Sequence, residues 1–322
     1  MQLVQPFYKL PIRFDGDALE RELRALPDSA WQPHPSGFVG NEAVRLITPG
    51  GAETDDIQGP MAATQHLLAC PYAMQAMAAL GGVWGRSRFM GLAAGAEVPA
   101  HIDANYYWRT HLRIHVPVVT NPGVVFTCGT QSVHMAAGEC WAFDSFLLHD
   151  VQNKGPQQRV HLVIDSVVTE RLWDLIDRSL AEPDGEAPLL APSGGPAEEL
   201  RFERINRPKV MSPWEMKVHV AFLADHVAPD PKLGEVMRRL ERFICAWQGV
   251  WAEGGDSDES IPVYRGLVAE VRQDLHRIGG AHIAMENGEP LYYFLDQLVF
   301  IYALAPARQR AAVAAAGQRL AS

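Results

Sequence analysis

The chain has 322 residues and a formal net charge of −10, with 48% hydrophobic and 20% charged residues. This is an ordinary globular composition with enough material for a real core, so folding requires neither disulfides nor a structural metal. The negative balance and the lack of any Lys/Arg-rich run argue against non-specific DNA binding and an anionic membrane surface. The apolar stretches are also too short or interrupted to span a bilayer.

Cys70, Cys128, Cys140 and Cys245 are far apart and form no CxxC pair. They read as reduced, mostly buried thiols, and MQLVQPFYKLPIRFDGD lacks a charged-then-apolar signal pattern; a cytoplasmic protein is expected. Residues 1–14 look extended. Asp15 then offers an N-cap for an amphipathic helix over 18–27. EAVRLIT (42–48) reads as a strand closed by Pro49-Gly50-Gly51, and 71–81 as a helix.

From 84 to 168 short β-rich runs follow one another: SRFMGLA, THLRIHVPVV, GVVFTC, SVHMA, ECWAFD and VHLVIDSVV. Turn residues separate them at 120–123, 137–139 and 153–156. Closely spaced strands without intervening helices predict an antiparallel sandwich or barrel, a mainly β catalytic core. The Pro/Gly/Ala-rich stretch 183–198 reads as a linker or mobile loop. Beyond it, helices are predicted over 213–227, 232–252, 262–278 and 289–304, with Pro213 at a first helical position. The expected division is 1–182 for the β domain with its N-terminal helices, 183–198 for the linker and 199–322 for a helical domain. The aromatic residues of the helical region read as a helical core or a homodimer face.

The chemistry concentrates in His101-Ile102-Asp103 and His149. Along a strand, residues i and i+2 share a face, so His101 and Asp103 can grip one metal ion, and a barrel can fold His149 back beside them. An HxD triplet alone is common by chance. Two imidazoles and a carboxylate leave three octahedral positions open, as in the facial triad of non-haem Fe(II) oxygenases. 2-Oxoglutarate would fill two of these and needs a cation for its distal carboxylate. Arg159, ten residues after His149, suits a bidentate pair there.

Several stretches together resemble the aspartyl/asparaginyl β-hydroxylase family of Fe(II)/2-oxoglutarate-dependent oxygenases, which includes bacterial free-proline hydroxylases. They are AVRL (43–46), SRFMGLAAGAEVPAHID (87–103), THLRIHVPV (110–118), GECWAFDSFLLHDVQN (138–153) and RVHLVID (159–165). The resemblance implies a double-stranded β-helix of the jelly-roll, cupin-like type, with Fe(II) on His101, Asp103 and His149 and the co-substrates 2-oxoglutarate and O2. It further implies Arg159 and His115 as 2-oxoglutarate contacts and Arg113 as a partner for a substrate carboxylate. Halogenases of this chemistry lack the carboxylate ligand, so Asp103 points to hydroxylation. Met90 and Ala93-Ala94 depart from the family pattern.

Arg45, Tyr106 and Trp108 are further substrate-binding candidates, with Tyr106-Tyr107-Trp108 read as a lid. Arg86 and Arg88 read as a solvated strand edge, His111, His134 and His161 as core or surface histidines, and Asn153 as the fixer of a local turn. The expected function is hydroxylation of an unactivated C–H of an amino acid or peptidyl side chain. The alternatives are a catalytically dead barrel that only binds, and a cupin-type metalloenzyme that does not use 2-oxoglutarate.

Overall fold

Alternating buried and exposed positions set the strands of the computed structural model, which describes residues 3–183, 185–195 and 199–306. In chain order they are β1 (Phe7–Phe14), β2 (Gln32–Pro33), β3 (Asn41–Pro49), β4 (Met61–Ala63), β5 (Val83–Leu92), β6 (Glu97–His101) and β7 (His111–Val119). They continue with β8 (Val124–Cys128), β9 (Gln131–Val133), β10 (Glu139–Phe143), β11 (His149–Asn153), β12 (Arg159–Val167) and β13 (Leu189–Leu190). The large sheet runs β13-β1-β10-β7-β12-β5-β3-β2, with β4 beside β3, and the small sheet runs β6-β11-β8-β9. Apart from the parallel β1–β13 contact, the neighbours are antiparallel. This is the expected double-stranded β-helix.

The chain divides into two compact units. The first takes the residues up to Asp103 and Tyr107–Asn206; the second takes Ala104–Tyr106 and the chain from Arg207. The division therefore falls at 206/207, later than the sequence suggests. Residues 199–206 run with the first unit: Trp84 N–H donates to the Arg201 carbonyl at 2.9 Å, and Glu203 N–H to the Trp84 carbonyl at 3.0 Å. Of the expected linker, Asp184 and residues 196–198 lie outside the described residues. The remainder is tethered, with Leu189 and Leu190 beside β1 and the Ala191 carbonyl taking a 3.0 Å bond from Gln75.

In the first unit the two faces of the large sheet differ. On β7, Leu112, Ile114, Val116 and Val118 join a core with Val160, Leu162 and Ile164 of β12. The helices α1 (Gly16–Ala25), α2 (Gln65–Leu68), α3 (Pro71–Leu80) and, further along, α5 (Glu170–Ala181) contribute to this core. Asp15 caps α1, its carboxylate accepting from Ala18 N–H at 3.0 Å. The sequence reading did not assign α5, which Thr169 caps and which buries Leu172, Leu175 and Ile176. A smaller cluster joins the two sheets: Phe7, Leu92 and Phe143 meet Val124, Phe126 and Val151. Gly138, at the predicted turn before β10, has φ +76°, and a side chain there would collide with the Phe14 carbonyl; only glycine suits it.

Between the strands lies the short helix α4 (Tyr106–Thr110). The second unit is built on α6 (Pro213–Ala224), α7 (Leu233–Gly254) and α8 (Ile261–Arg277), close to the predicted spans. Trp247 of α7 is fully buried and donates to the Met211 carbonyl at 2.9 Å. Trp214, by contrast, lies outside the core and is 60% exposed. The predicted helix over 289–304 is broken. It becomes α9 (Leu291–Leu295) and a π-turn at Asp296–Phe300. The chain then leaves the helix because its backbone finds other partners, with Met211 N–H on the Ala303 carbonyl at 2.8 Å and Ala305 N–H on the Lys209 carbonyl at 2.9 Å. Cys70, Cys128 and Cys140 are buried free thiols, and Cys245 is exposed. No helix among the described residues is long and apolar enough to cross a membrane.

Candidate active site

β6 ends at His101 and β11 begins at His149, and the two residues are direct cross-strand partners. A bulge follows between His149 and Val151; such irregularities re-aim side chains near sites. Asp103 lies past the end of β6, so the i, i+2 strand argument holds only up to His101. A backbone bond fixes the loop instead, Asp103 N–H donating to the Ser145 carbonyl at 3.0 Å. Ligand atoms of His101, Asp103 and His149 all lie within 4.8 Å of one another.

The tautomers follow from the backbone. His101 Nδ1 is 2.9 Å from the Pro99 carbonyl, and His149 Nδ1 is 2.8 Å from the Leu147 carbonyl. Carbonyls only accept, so both rings carry their proton on Nδ1 and leave Nε2 as a bare lone pair. Backbone acceptors behind the imidazoles are the usual support of metal-bound histidines. Burial lowers His149 to about 4, with Asp103 opposing the shift. Burial would raise the Asp103 carboxyl, but Arg113, His149 and His101 together hold it below the usual range. His149 and Asp103 are thus deprotonated at neutral pH, as ligands of a divalent metal must be.

Arg113 is committed to protein carboxylates. Its Nη1 donates to Asp103 Oδ2 at 2.8 Å, and Nε and Nη2 donate to Asp165 at 2.9 and 3.4 Å. Its guanidinium also lies 4.1 Å from the centre of the Trp108 ring. Arg45 is similarly engaged, with Asp55 at 3.1 and 2.5 Å and Glu53 at 3.6 Å. Tyr106 belongs to the second unit, where it stacks on Tyr302 and donates to Glu215 at 2.5 Å. Tyr107 is buried, its ring 3.7 Å from that of His111 and its hydroxyl accepting from Arg86 N–H. The aromatic run is therefore built into the fold, contrary to the expected lid. His111 lies 3.0 Å from the Glu203 carboxylate as a buried pair.

The largest difference from expectation concerns Arg86 and Arg88. They are not a solvated edge. Register places Arg88 opposite Val163, Val163 opposite His115 and Arg45 opposite Arg88, so all share the inner face. Arg88 is 3% exposed, and Arg88 Nη1 and Arg86 Nε are buried without a hydrogen-bond partner. Burial, followed by Arg86 and Arg113, pushes Arg88 well below the ordinary guanidinium range. The sequence did carry a signal, since cations at i and i+2 in a β run mark one face of the strand.

Arg159 is buried, lowered to about 9 by that burial, and its Nε has no partner. It donates to His161 Nδ1 at 2.8 Å, and His161 in turn lies 3.2 Å from His115 Nδ1. A buried guanidinium hydrogen-bonded to a neutral ring suits a carboxylate ligand. Asn153 does what its sequence position suggests. Its amide donates to the carbonyls of Leu92, Ala93 and Gln157, and its oxygen accepts from Gly155 N–H. Asn153→Ala is expected to strand these buried groups and lower stability by about 1–3 kcal/mol, measured by urea unfolding; an unchanged midpoint would contradict it.

Two imidazoles and a carboxylate converge inside this jelly-roll protein in a group that could hold a metal ion. Residues 49–168 match the family model described as Aspartyl/Asparaginyl beta-hydroxylase. No curated protein matches the sequence. Similar solved structures include a Pseudomonas putida prolyl-4-hydroxylase, 15% identical, with TM-score 0.36 over 52% of this chain and 94% of that one. Another is a 2OG-Fe(II) oxygenase family oxidoreductase from Burkholderia pseudomallei, 13% identical, with TM-score 0.34 over 48% and 78% of the two chains. A third is a Trichoplax adhaerens prolyl hydroxylase in complex with a hypoxia inducible factor peptide fragment, 11% identical, with TM-score 0.35 over 49% and 80%.

Proposed function

We propose that this protein is an Fe(II)- and 2-oxoglutarate-dependent hydroxylase that acts on an unactivated C–H bond of an amino acid or a peptidyl amino-acid side chain. The observation that carries this is the convergence of His101, Asp103 and His149 in a barrel that also buries Arg159, which has no carboxylate partner among the described residues. The two histidines would hold the metal through Nε2 and Asp103 through a carboxylate oxygen. When bound, iron with 2-oxoglutarate and O2 supplies the C–H oxidation, releasing succinate and CO2.

The chain's own residues bind and orient. Arg159 receives the distal carboxylate of 2-oxoglutarate, and His115 stands beside it on the neighbouring strand. Arg113 holds Asp103 in place and keeps it ionised. The carboxylate of the substrate falls to Arg86 and Arg88, whose guanidinium groups have N–H bonds to spare, rather than to Arg113. Orientation of one C–H bond inside a dry pocket is the protein's share of the catalysis.

An anaerobic Fe(II) titration followed by a screen of free amino acids and peptides for succinate release tests the proposal. Stoichiometric Fe(II) binding and a substrate that stimulates succinate release are expected. A protein that takes up no Fe(II) would be a binding module instead. Arg88→Gln is expected to raise the substrate KM by about 10-fold or more, because a charge-assisted hydrogen bond in a buried site is lost. The KM for 2-oxoglutarate should stay unchanged; a shift in that constant alone would place Arg88 at the co-substrate.

A further inference from the structure

His161 projects from β12 two residues after Arg159, on the same face, and is 1% exposed. Its Nδ1 is 2.8 Å from Arg159 Nη2 and 3.2 Å from His115 Nδ1. A guanidinium can only donate, so His161 Nδ1 is a bare acceptor and the ring proton sits on Nε2. The same lone pair then faces the Nδ1–H of His115. One ring atom orients two residues on two neighbouring strands.

Charge explains why an imidazole serves here. Among the described residues no carboxylate pairs with Arg159. A carboxylate at position 161 would fix the guanidinium equally well but would cancel its charge, and an anionic ligand would then meet a neutral pair. An apolar side chain would leave the charge intact but the guanidinium without a fixed direction. A neutral ring fixes the direction and leaves the charge. Burial, then Arg159 and His115, pushes His161 well below the ordinary imidazole range, so the ring stays neutral at physiological pH.

We propose that His161 is a positioning residue for 2-oxoglutarate. It is a charge-neutral acceptor that fixes the Arg159 guanidinium and the His115 ring, and it leaves the positive charge of Arg159 for the distal carboxylate. This rests on the co-substrate proposed above. It requires no direct contact between His161 and the reacting atoms.

The test is calorimetric titration of 2-oxoglutarate into Fe(II)-loaded protein without O2, so that binding is read and not turnover. Asn keeps an acceptor near the Nδ1 position, Leu removes it, and Asp keeps it but adds charge. His161→Asn should bind 2-oxoglutarate within about 3-fold of the unaltered protein. His161→Leu should raise Kd by about 10-fold, the loss of one charge-assisted hydrogen bond. His161→Asp should raise Kd most, by about 100-fold, while Fe(II) binding stays the same in all three. Unaltered affinity in His161→Leu would overturn the proposal. So would equal affinities in His161→Asn and His161→Asp, a comparison that stands even if the Leu variant does not fold. Unaltered protein that binds Fe(II) but no 2-oxoglutarate would instead overturn the co-substrate assignment.

Discussion

His149→Ala is expected to abolish Fe(II) binding and to lower substrate-dependent succinate release by about 10³-fold or more, the scale of losing a group that acts as part of a catalytic unit. Two ligands remain in that variant, but His101 and Asp103 cannot define a facial set on their own. The barrel should survive. His149 begins a strand whose backbone ladder to β6 and β8 does not need the ring. The ring itself contacts Phe143 and Phe126, so a modest packing loss accompanies the change. Anaerobic metal titration alongside a thermal melt separates the two effects. Retained stoichiometric Fe(II) binding and normal turnover would remove His149 from the metal site.

Arg159→Ala is expected to act on the co-substrate and leave the metal in place. The KM for 2-oxoglutarate should rise by about 100-fold, as a paired charge-assisted contact to a carboxylate is lost in a buried position. Fe(II) affinity should be unchanged, since the bonded neighbour of Arg159 is His161 and not one of the three ligands. Arg159→Lys should recover only part of the loss, because an ammonium cannot reproduce the fork of a guanidinium. An unchanged 2-oxoglutarate requirement would place the distal carboxylate elsewhere, and Arg88 would be the next residue to examine.

The parts of the site that were legible in the sequence are those that short spacings encode. His101 and Asp103 are two residues apart, His149 opens a strand, and Arg159 begins another. What stayed hidden depends on strand register. Arg113 meets Asp165 across β7 and β12, 52 positions along the chain, and nothing local announces that pair. The same holds for Arg86 and Arg88, since a run with two cations looks like a wet edge until β3 and β12 are known to flank it. The exposed Glu97–His101 strand is too short and too polar to show the usual alternation. The division into units was hidden for another reason: segment 199–206 is held by backbone bonds to Trp84 and Met61, which composition does not report.

The two faces of β7 and β12 have a consequence for how such a protein changes over time. Leu112, Ile114 and Val116 with Leu162 and Ile164 secure the sheet against its helices. Arg113, His115, Arg159, His161 and Asp165 occupy the intervening positions and turn the other way. Selection for a new substrate can therefore act on alternate residues of a strand while the residues between them keep the fold stable. Inheritance of the barrel and invention of its specificity are written in the same stretches of chain, interleaved one residue at a time.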